Sequence, residues 1–221
     1  MTDLGYGKNW NPSEHYKNKA IASQYDARRF RSLSGRLFNA LERSLLLKVF
    51  RRLPSGAHII DAPCGTGRLA ETLLGAGYRV TGADISPDML EVAAARLERF
   101  GPKFDTLVSD ARKLKEQGRT FDGVLCARVL MHFPLSEQIE FLKGVAAVTT
   151  GPIVFTQGLN TPYHRLRRAV KRLLHNQKPA VYPLTPNELE ILLEKAGLRR
   201  VAQHSVLPVL SEAIMVVAVH S

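Results

Sequence analysis

Short apolar runs alternate with helical patterns from Ala57 to Gln157, and two further apolar runs close the chain without a helix between them. That order predicts an α/β fold. The expected form is a doubly wound, seven-stranded sheet, mostly parallel, with a C-terminal antiparallel β-hairpin and a helical N-terminal cap. A third observation says where the functional edge lies. The run Ile59-Ile60-Asp61 ends on an acid, passes through Ala62-Pro63-Cys64-Gly65-Thr66-Gly67, and opens into a helical pattern at Arg68-Leu69-Ala70. A strand, a Gly-rich turn and a helix start in that order form a loop suited to a nucleotide cofactor, because Gly lets backbone approach a ligand closely.

The elements follow in order. Residues 1–14 read as a loosely docked tail that Trp10 pins to the body. His15 to Phe30 has a helical pattern with Ala20, Ile21 and Tyr25 on one side. A second helix is expected from about Gly35, with Leu37, Leu41, Leu45, Val49 and Leu53 as its apolar stripe and Pro54-Ser55-Gly56 as its end. Ala57 to Asp61 reads as the first strand. Helix follows from Gly67 to Leu74, stopped by Gly75-Ala76-Gly77. Tyr78 to Ala83 is the second strand, ending on Asp84. Ser86 caps the next helix, with Pro87 at its first position, and that helix is expected to reach Phe100. Phe104 to Val108 is the third strand, with a helical piece over 111–117. Phe121 to Ala127, a helix from Leu135 to Val148, and Ile153 to Gln157 complete the alternation. Thr185-Pro186 starts a last helix that ends near Ala196. Leu198 to Val206 and Ala213 to Val219 form the closing hairpin.

At 221 residues, with 45% hydrophobic and 23% charged, the chain has the composition of a globular protein with one sizeable core. The expected division is a tail and helical cap over residues 1–55 and a binding domain over 56–221, the latter carrying a basic insertion at 158–184. The polar, Gly-rich stretch Met1 to Trp10 does not read as a signal peptide. The cysteines, Cys64 and Cys126, lack CxxC spacing, so a disulfide framework or a zinc site is not expected. The expected compartment is the cytoplasm. The net charge of +11 is unevenly spread: residues 1–56 hold eleven Lys/Arg against four Asp/Glu, and residues 158–184 hold six against none. Basicity confined to two segments points to an anionic partner.

The cofactor loop alone leaves two readings open. Gly65-Thr66-Gly67-Arg68-Leu69-Ala70 fits G-x-G-x-x-A with Asp84 further on, which suits a dinucleotide. Asp61 argues for a cationic ligand instead, since a carboxylate repels a pyrophosphate and attracts an ammonium. Three more motifs follow in order: Gly82-Ala83-Asp84-Ile85-Ser86, then Ser109-Asp110-Ala111, then Phe121-Asp122-Gly123-Val124-Leu125-Cys126-Ala127-Arg128-Val129-Leu130-Met131-His132-Phe133. With these the chain resembles the class I S-adenosylmethionine-dependent methyltransferases, in the broad group acting on small molecules and lipids, over about residues 20–221. The fold implied is Rossmann-like. Pro63 departs from the family pattern, standing where the first Gly of the loop is usual. The resemblance implies S-adenosyl-L-methionine as cofactor, held by Asp61, Ala62, Cys64, Gly65, Gly67, Asp84, Ile85, Met89, Asp110, Ala111 and Arg128. In it Asp84 accepts from the ribose hydroxyls, Asp110 from the adenine amino group, Met89 faces the base, and Arg128 meets the methionine carboxylate or an anionic substrate.

The reaction implied is in-line displacement at the sulfonium methyl, which asks the protein mainly for positioning and desolvation. His132 is the candidate general base, beyond the fourth strand on the expected catalytic edge and with an ordinary pKa near neutrality. Tyr25, His132, Tyr163 and His164 are the candidate substrate residues. The acceptor is expected to be a small or lipid-linked anion, with oxygen slightly favoured as its nucleophile. Arg165, Arg167, Arg168, Lys171 and Arg172 alternate with Leu166, Val170, Leu173 and Leu174, a pattern that suits peripheral contact with an anionic membrane through residues 162–178 or a lid on the domain. The alternatives are an RNA methyltransferase, which the basicity favours but the absence of a stacking-aromatic platform does not, and a non-catalytic adenosyl-binding protein.

Overall fold

The computed structural model describes residues 32–165, 182–207 and 211–221. Strands β1 (His58–Asp61), β2 (Arg79–Asp84), β3 (Phe104–Val108), β4 (Gly123–Cys126), β5 (Ile153–Gly158), β6 (Leu198–Ser205) and β7 (Ala213–His220) form one sheet in the order β3-β2-β1-β4-β5-β7-β6. The first five pair in parallel, and β7 pairs antiparallel with both β5 and β6. The last strand in sequence therefore inserts between β5 and β6. The hairpin expectation holds, and the sheet supplies the position it lacked.

The helices are α1 (Leu33–Phe50), α2 (Arg68–Gly75), α3 (Pro87–Leu97), α4 (Leu135–Ala146) and α5 (Pro186–Lys195), joined by 3-10 segments at Glu98–Lys103, Ala111–Gln117 and Leu130–His132. Their starts follow from local chemistry. Ser32 accepts from the Gly35 amide at 3.1 Å. Ser86 accepts from Met89 N with Pro87 in the first turn, and Thr185 and Glu188 form a reciprocal capping box.

Two apolar layers sandwich the sheet. Neighbouring strand residues point to opposite faces, so Ile60 and Val124 pack with Phe141, Leu142, Leu189 and Leu192 of α4 and α5. Ile59 and Leu125 pack with Leu46 and Phe50 of α1, Leu69 and Leu73 of α2, and Ala93 and Leu97 of α3. Burial on both faces accounts for the continuous apolar runs of β1, β4 and β5.

The stripe expected on the helix before the first strand is corrected. α1 buries Glu42, Leu46 and Phe50, while Leu37 is 53% exposed. A strict four-residue stride advances about 40° per step on a helix of 3.6 residues per turn, so five such positions spread around it rather than lining one face. Leu41, Leu45, Val49 and Leu53 are only half-buried. The helix after Ser86 also ends at Leu97 rather than Phe100, giving way to the 3-10 segment in which Gly101 has φ 55°. The strand expected from Phe121 to Ala127 is regular only over Gly123–Cys126, with Phe121 bridged separately to Thr149. The N-terminal cap before residue 32, with Trp10, Tyr25, Arg28, Arg29 and Arg31, and the basic helix beyond residue 165 lie outside the described residues.

Candidate cofactor and active site

Parallel strands bring their C-terminal ends to one edge. The register sets Asp61 opposite Gly82 and Leu125, and Asp84 opposite Val108. Asp61, Asp84 and Asp110 therefore collect at that edge, where all three line one cavity with Pro63, Cys64, Gly65 and Thr66. It is lined also by Ile85, Met89 and Ala111, and by Arg128, Val129, His132, Phe133 and Phe141.

The loop between β1 and α2 is held by backbone. Ala62 N donates to Leu125 O at 2.9 Å, Cys64 N to Ala83 O at 2.8 Å, and Gly67 N to Cys64 O at 3.2 Å. The Ala62–Pro63 peptide is cis. Arg96 of α3 donates to Thr66 O at 3.0 Å, fastening the loop from outside. Gly65 has φ 55°, and a Cβ added there meets nothing within 4 Å. Bare backbone at a cavity wall is a cradle for a ligand.

Three of the loop positions serve other ends than expected. Ala62 is fully buried in the core and does not line the cavity, because its amide is committed to β4. Gly67, at φ 74°, caps α2, and a Cβ there would sit 2.8 Å from Leu97 Cδ1 and 3.1 Å from Ala93 Cβ. Its small size lets α2 approach α3; it does not line the cavity. Cys64 lines the cavity, but its amide is spent on Ala83, and its thiol fits where Gly82 lacks a side chain, 2.6 Å from a Cβ built there. Burial pushes that thiol well above its ordinary pKa, so it is not a thiolate.

The acids differ in state. Asp84 Oδ2 accepts from Gly65 N at 2.8 Å and its Oδ1 from Ser86 N at 3.0 Å. Burial raises its pKa, against the pull of those amides. Asp61 is 1% exposed, and burial pushes its pKa up to about 8; Arg68 and the Ala70 amide oppose the shift, and Asp84 and Glu42 add to it. Asp110 caps the 3-10 segment. Its carboxylate is partly buried, which costs the charged form, but the Arg112 amide, at 2.9 Å, and the Arg112 guanidinium, at 2.7 Å, outweigh this and lower its pKa. Gly144 lets α4 lie on this segment, since a Cβ there would fall 2.4 Å from Arg112 Cα.

His132 ends the 3-10 turn after β4, half-buried in the cavity wall, with its amide donating to Val129 O at 3.0 Å. Tyr182 N donates to Met131 O at 2.7 Å and Asn160 N to Leu184 O at 2.7 Å. The C-terminal end of the 158–184 insertion is thus bonded to the His132 turn, and the insertion's two ends are bonded to each other. Tyr163 and His164, in a helical turn over 162–165, do not line the cavity; Tyr163 is 50% exposed and His164 is bonded to Thr161 at 2.9 Å. Tyr25 lies outside the described residues.

Arg128 is expected at the cavity from its motif, Arg68 stands in the quoted loop without a role, and Glu42, which pairs with both but does not itself line the cavity, has no place in the sequence reading. Arg68, inside the quoted loop, lines the cavity and pairs with Glu42 at 2.6 Å. Arg128 pairs with the same carboxylate at 3.4 Å, lies 5.3 Å over the Phe38 ring, and has φ 64°. Glu42 itself, 1% exposed, was hidden in what reads as the polar side of α1. An acid one residue from an apolar stripe is the faint signal that could have marked it. Among the described residues no group of three or more His, Cys, Asp or Glu could hold a metal ion, and no helix is long and apolar enough to cross a membrane.

A methyltransferase-domain family model matches residues 59–151, the span from β1 to the approach to β5. The ubiquinone biosynthesis O-methyltransferase of Xanthomonas axonopodis pv. citri (strain 306) is 29% identical over 158 residues, covering 66% of this chain and 64% of that protein. The protein of the same name from Methylocella silvestris is 37% identical over 106 residues, 48% of this chain and 41% of its own length. The chain thus spans less than two thirds of these relatives. Magnesium protoporphyrin IX methyltransferase from Synechocystis PCC 6803, solved with bound SAH, shares the fold at TM-score 0.75 and 18% identity, covering 95% of this chain and 98% of that one. The acids stand in motif order at the sheet edge and the domain match spans them, so residues 59–151 carry a methyltransferase domain on a fold shared with solved methyltransferases.

Proposed function

We propose that this protein transfers a methyl group from S-adenosyl-L-methionine to oxygen on a small acceptor. The observation that carries the reading is the convergence of Asp61, Asp84 and Asp110 with the bare backbone of Gly65 on one cavity. Acceptor-only carboxylates suit a ligand that presents an ammonium, ribose hydroxyls and an amino group, and suit a pyrophosphate poorly. The donor, when bound, supplies an activated methyl group to a nucleophile placed in line with it. The chain's own residues do the rest. Asp61 holds the ammonium, Asp84 takes ribose hydroxyls on the lone pairs its amides leave, and Asp110 takes the base amino group. Ile85, Met89, Ala111 and Phe133 exclude water from the base. His132 accepts the proton of an acceptor hydroxyl.

The acceptor is an anionic small or lipid-linked molecule in this reading. Support comes from the names of the relatives and from the two basic segments, one of which is anchored beside His132. Residues 1–55 act as cap and 56–221 as the donor domain, with the insertion at 158–184 at the mouth; peripheral contact with anionic lipid through 162–178 follows from the same charge pattern, and a cytoplasmic place from the cysteine usage. The test is titration with S-adenosylmethionine and with NAD, read by thermal shift, then transfer of labelled methyl into fractionated cell extract. Stabilisation by the former alone and label in the lipid or small-molecule fraction support the reading. Label in RNA moves the acceptor class to nucleic acid, and stabilisation by NAD alone removes the donor.

A further inference from the structure

Glu42 belongs to α1, outside the span of the methyltransferase-domain match. It is a carboxylate at 1% exposure, which is stable only when paired. Its partners come from two different segments of the chain. Arg68, at 2.6 Å, follows the β1 loop, and Arg128, at 3.4 Å, follows β4; both line the cavity. The neighbouring turn of α1 completes the seat. Asn39 accepts from Arg68, and the Phe38 ring lies under the Arg128 guanidinium at 5.3 Å. Arg128 is further held by its own backbone, which takes φ 64° and donates to Thr156 Oγ1 at 2.6 Å. It is the one non-glycine residue with positive φ among the described residues. Arg68 in turn acts electrostatically on Asp61, at the end of β1.

We infer that Glu42 is a positioning residue for the amino-acid end of the donor, acting through Arg68 and Arg128. This rests on the donor proposed above. Two cations and two carboxylates meet here, and the assignment of pairs decides what the ligand finds. With Glu42 in place, Arg68 is drawn toward α1 and Asp61 is left for the ligand's ammonium. Arg128, oriented by Glu42, Phe38 and Thr156, offers guanidinium N–H groups to the ligand's carboxylate. Without the Glu42 charge, Arg68 is drawn more strongly to the neighbouring Asp61, and the ammonium meets a competitor for its partner. The cap helix is thereby part of the binding site, and α1 and the donor's zwitterionic end stabilise one another.

The test compares S-adenosylhomocysteine, which carries the amino-acid end, with 5′-methylthioadenosine, which lacks it, by calorimetry on the full chain. Glu42→Gln keeps shape and removes charge. The inference expects it to weaken S-adenosylhomocysteine by about tenfold or more while 5′-methylthioadenosine stays within about twofold. Phe38→Leu, which removes the seat under Arg128 and spares the buried pair, shifts the same ratio in the same direction and serves if Glu42→Gln does not fold. A parallel loss for both ligands means a merely structural role and overturns the inference, as does an unchanged or increased affinity for S-adenosylhomocysteine. Wild-type protein that binds neither ligand overturns the proposed donor with it.

Discussion

The Gly65 amide donates to Asp84 Oδ2 at 2.8 Å, so the acid ending β2 holds the loop that follows β1. The same carboxylate takes the Ser86 amide at 3.0 Å. Asp84 is therefore structural before any ligand arrives. Asp84→Ala strands two amides, and at about 1 kcal/mol or more for each unmade bond it should lower stability by about 2–3 kcal/mol in urea denaturation. Donor affinity should fall as well. A variant of wild-type stability would show that the amides find water instead.

Asp61 gives a pH dependence with a definite sign. Its pKa is raised from 3.8 to about 8 in the folded chain. The unfolded chain therefore gives up this proton first as pH rises, and the stability from the buried neutral acid, complete below about pH 4, declines toward pH 8. Ligand-free wild type should lose more of its Tm between pH 5 and 8 than Asp61→Asn does. A cationic ligand favours the ionised acid, so binding releases a proton below pH 8. Calorimetry in buffers of different ionisation enthalpy would read that release, which Asp61→Asn should lack.

The two loop glycines separate packing from binding. Gly67→Ala meets Leu97 at 2.8 Å in a left-handed conformation and should destabilise by more than about 1 kcal/mol. Gly65→Ala pays the conformational part only, since nothing lies within 4 Å. Its larger effect should fall on donor affinity. Equal stability losses with no change in affinity would remove Gly65 from the cavity wall.

Buried and exposed ion pairs should behave differently at this site. Glu42→Ala breaks the buried pair with Arg68, whose side chain is 12% exposed, and breaking a pair of that kind costs about 3–5 kcal/mol. Arg112→Ala removes a partner that is 42% exposed and should cost less than about 1 kcal/mol. It should also return Asp110 toward its ordinary acidity. The lowered pKa of Asp110 means its pair stabilises the fold above about pH 3.8 and is lost as pH falls below that, a change Arg112→Ala should diminish in acid titrations followed by NMR, since alanine keeps the amide.

For His132, His132→Ala should lower turnover by about a hundredfold or more with donor affinity nearly intact, as loss of a general base predicts. Unchanged turnover would leave the histidine as a shaping element of the 3-10 turn.

Much of this molecule is legible along the chain because its cues are local. Capping at Ser86 and Thr185 and the two-sided burial of β1, β4 and β5 each follow from a few adjacent residues, and they place the alternating elements and the acids at the strand ends. The sequence by itself thus determined an α/β sheet and an edge carrying Asp61, Asp84 and Asp110. Only the tertiary structure decided which groups face that edge. Ala62 turned into the core, Gly67 went to helix packing, and Glu42 crossed from α1 to two arginines far along the chain. It also set β7 between β5 and β6. The physical reason is that a side chain's direction depends on what packs against it, and those neighbours come from distant segments whose pairing leaves no periodic trace in sequence.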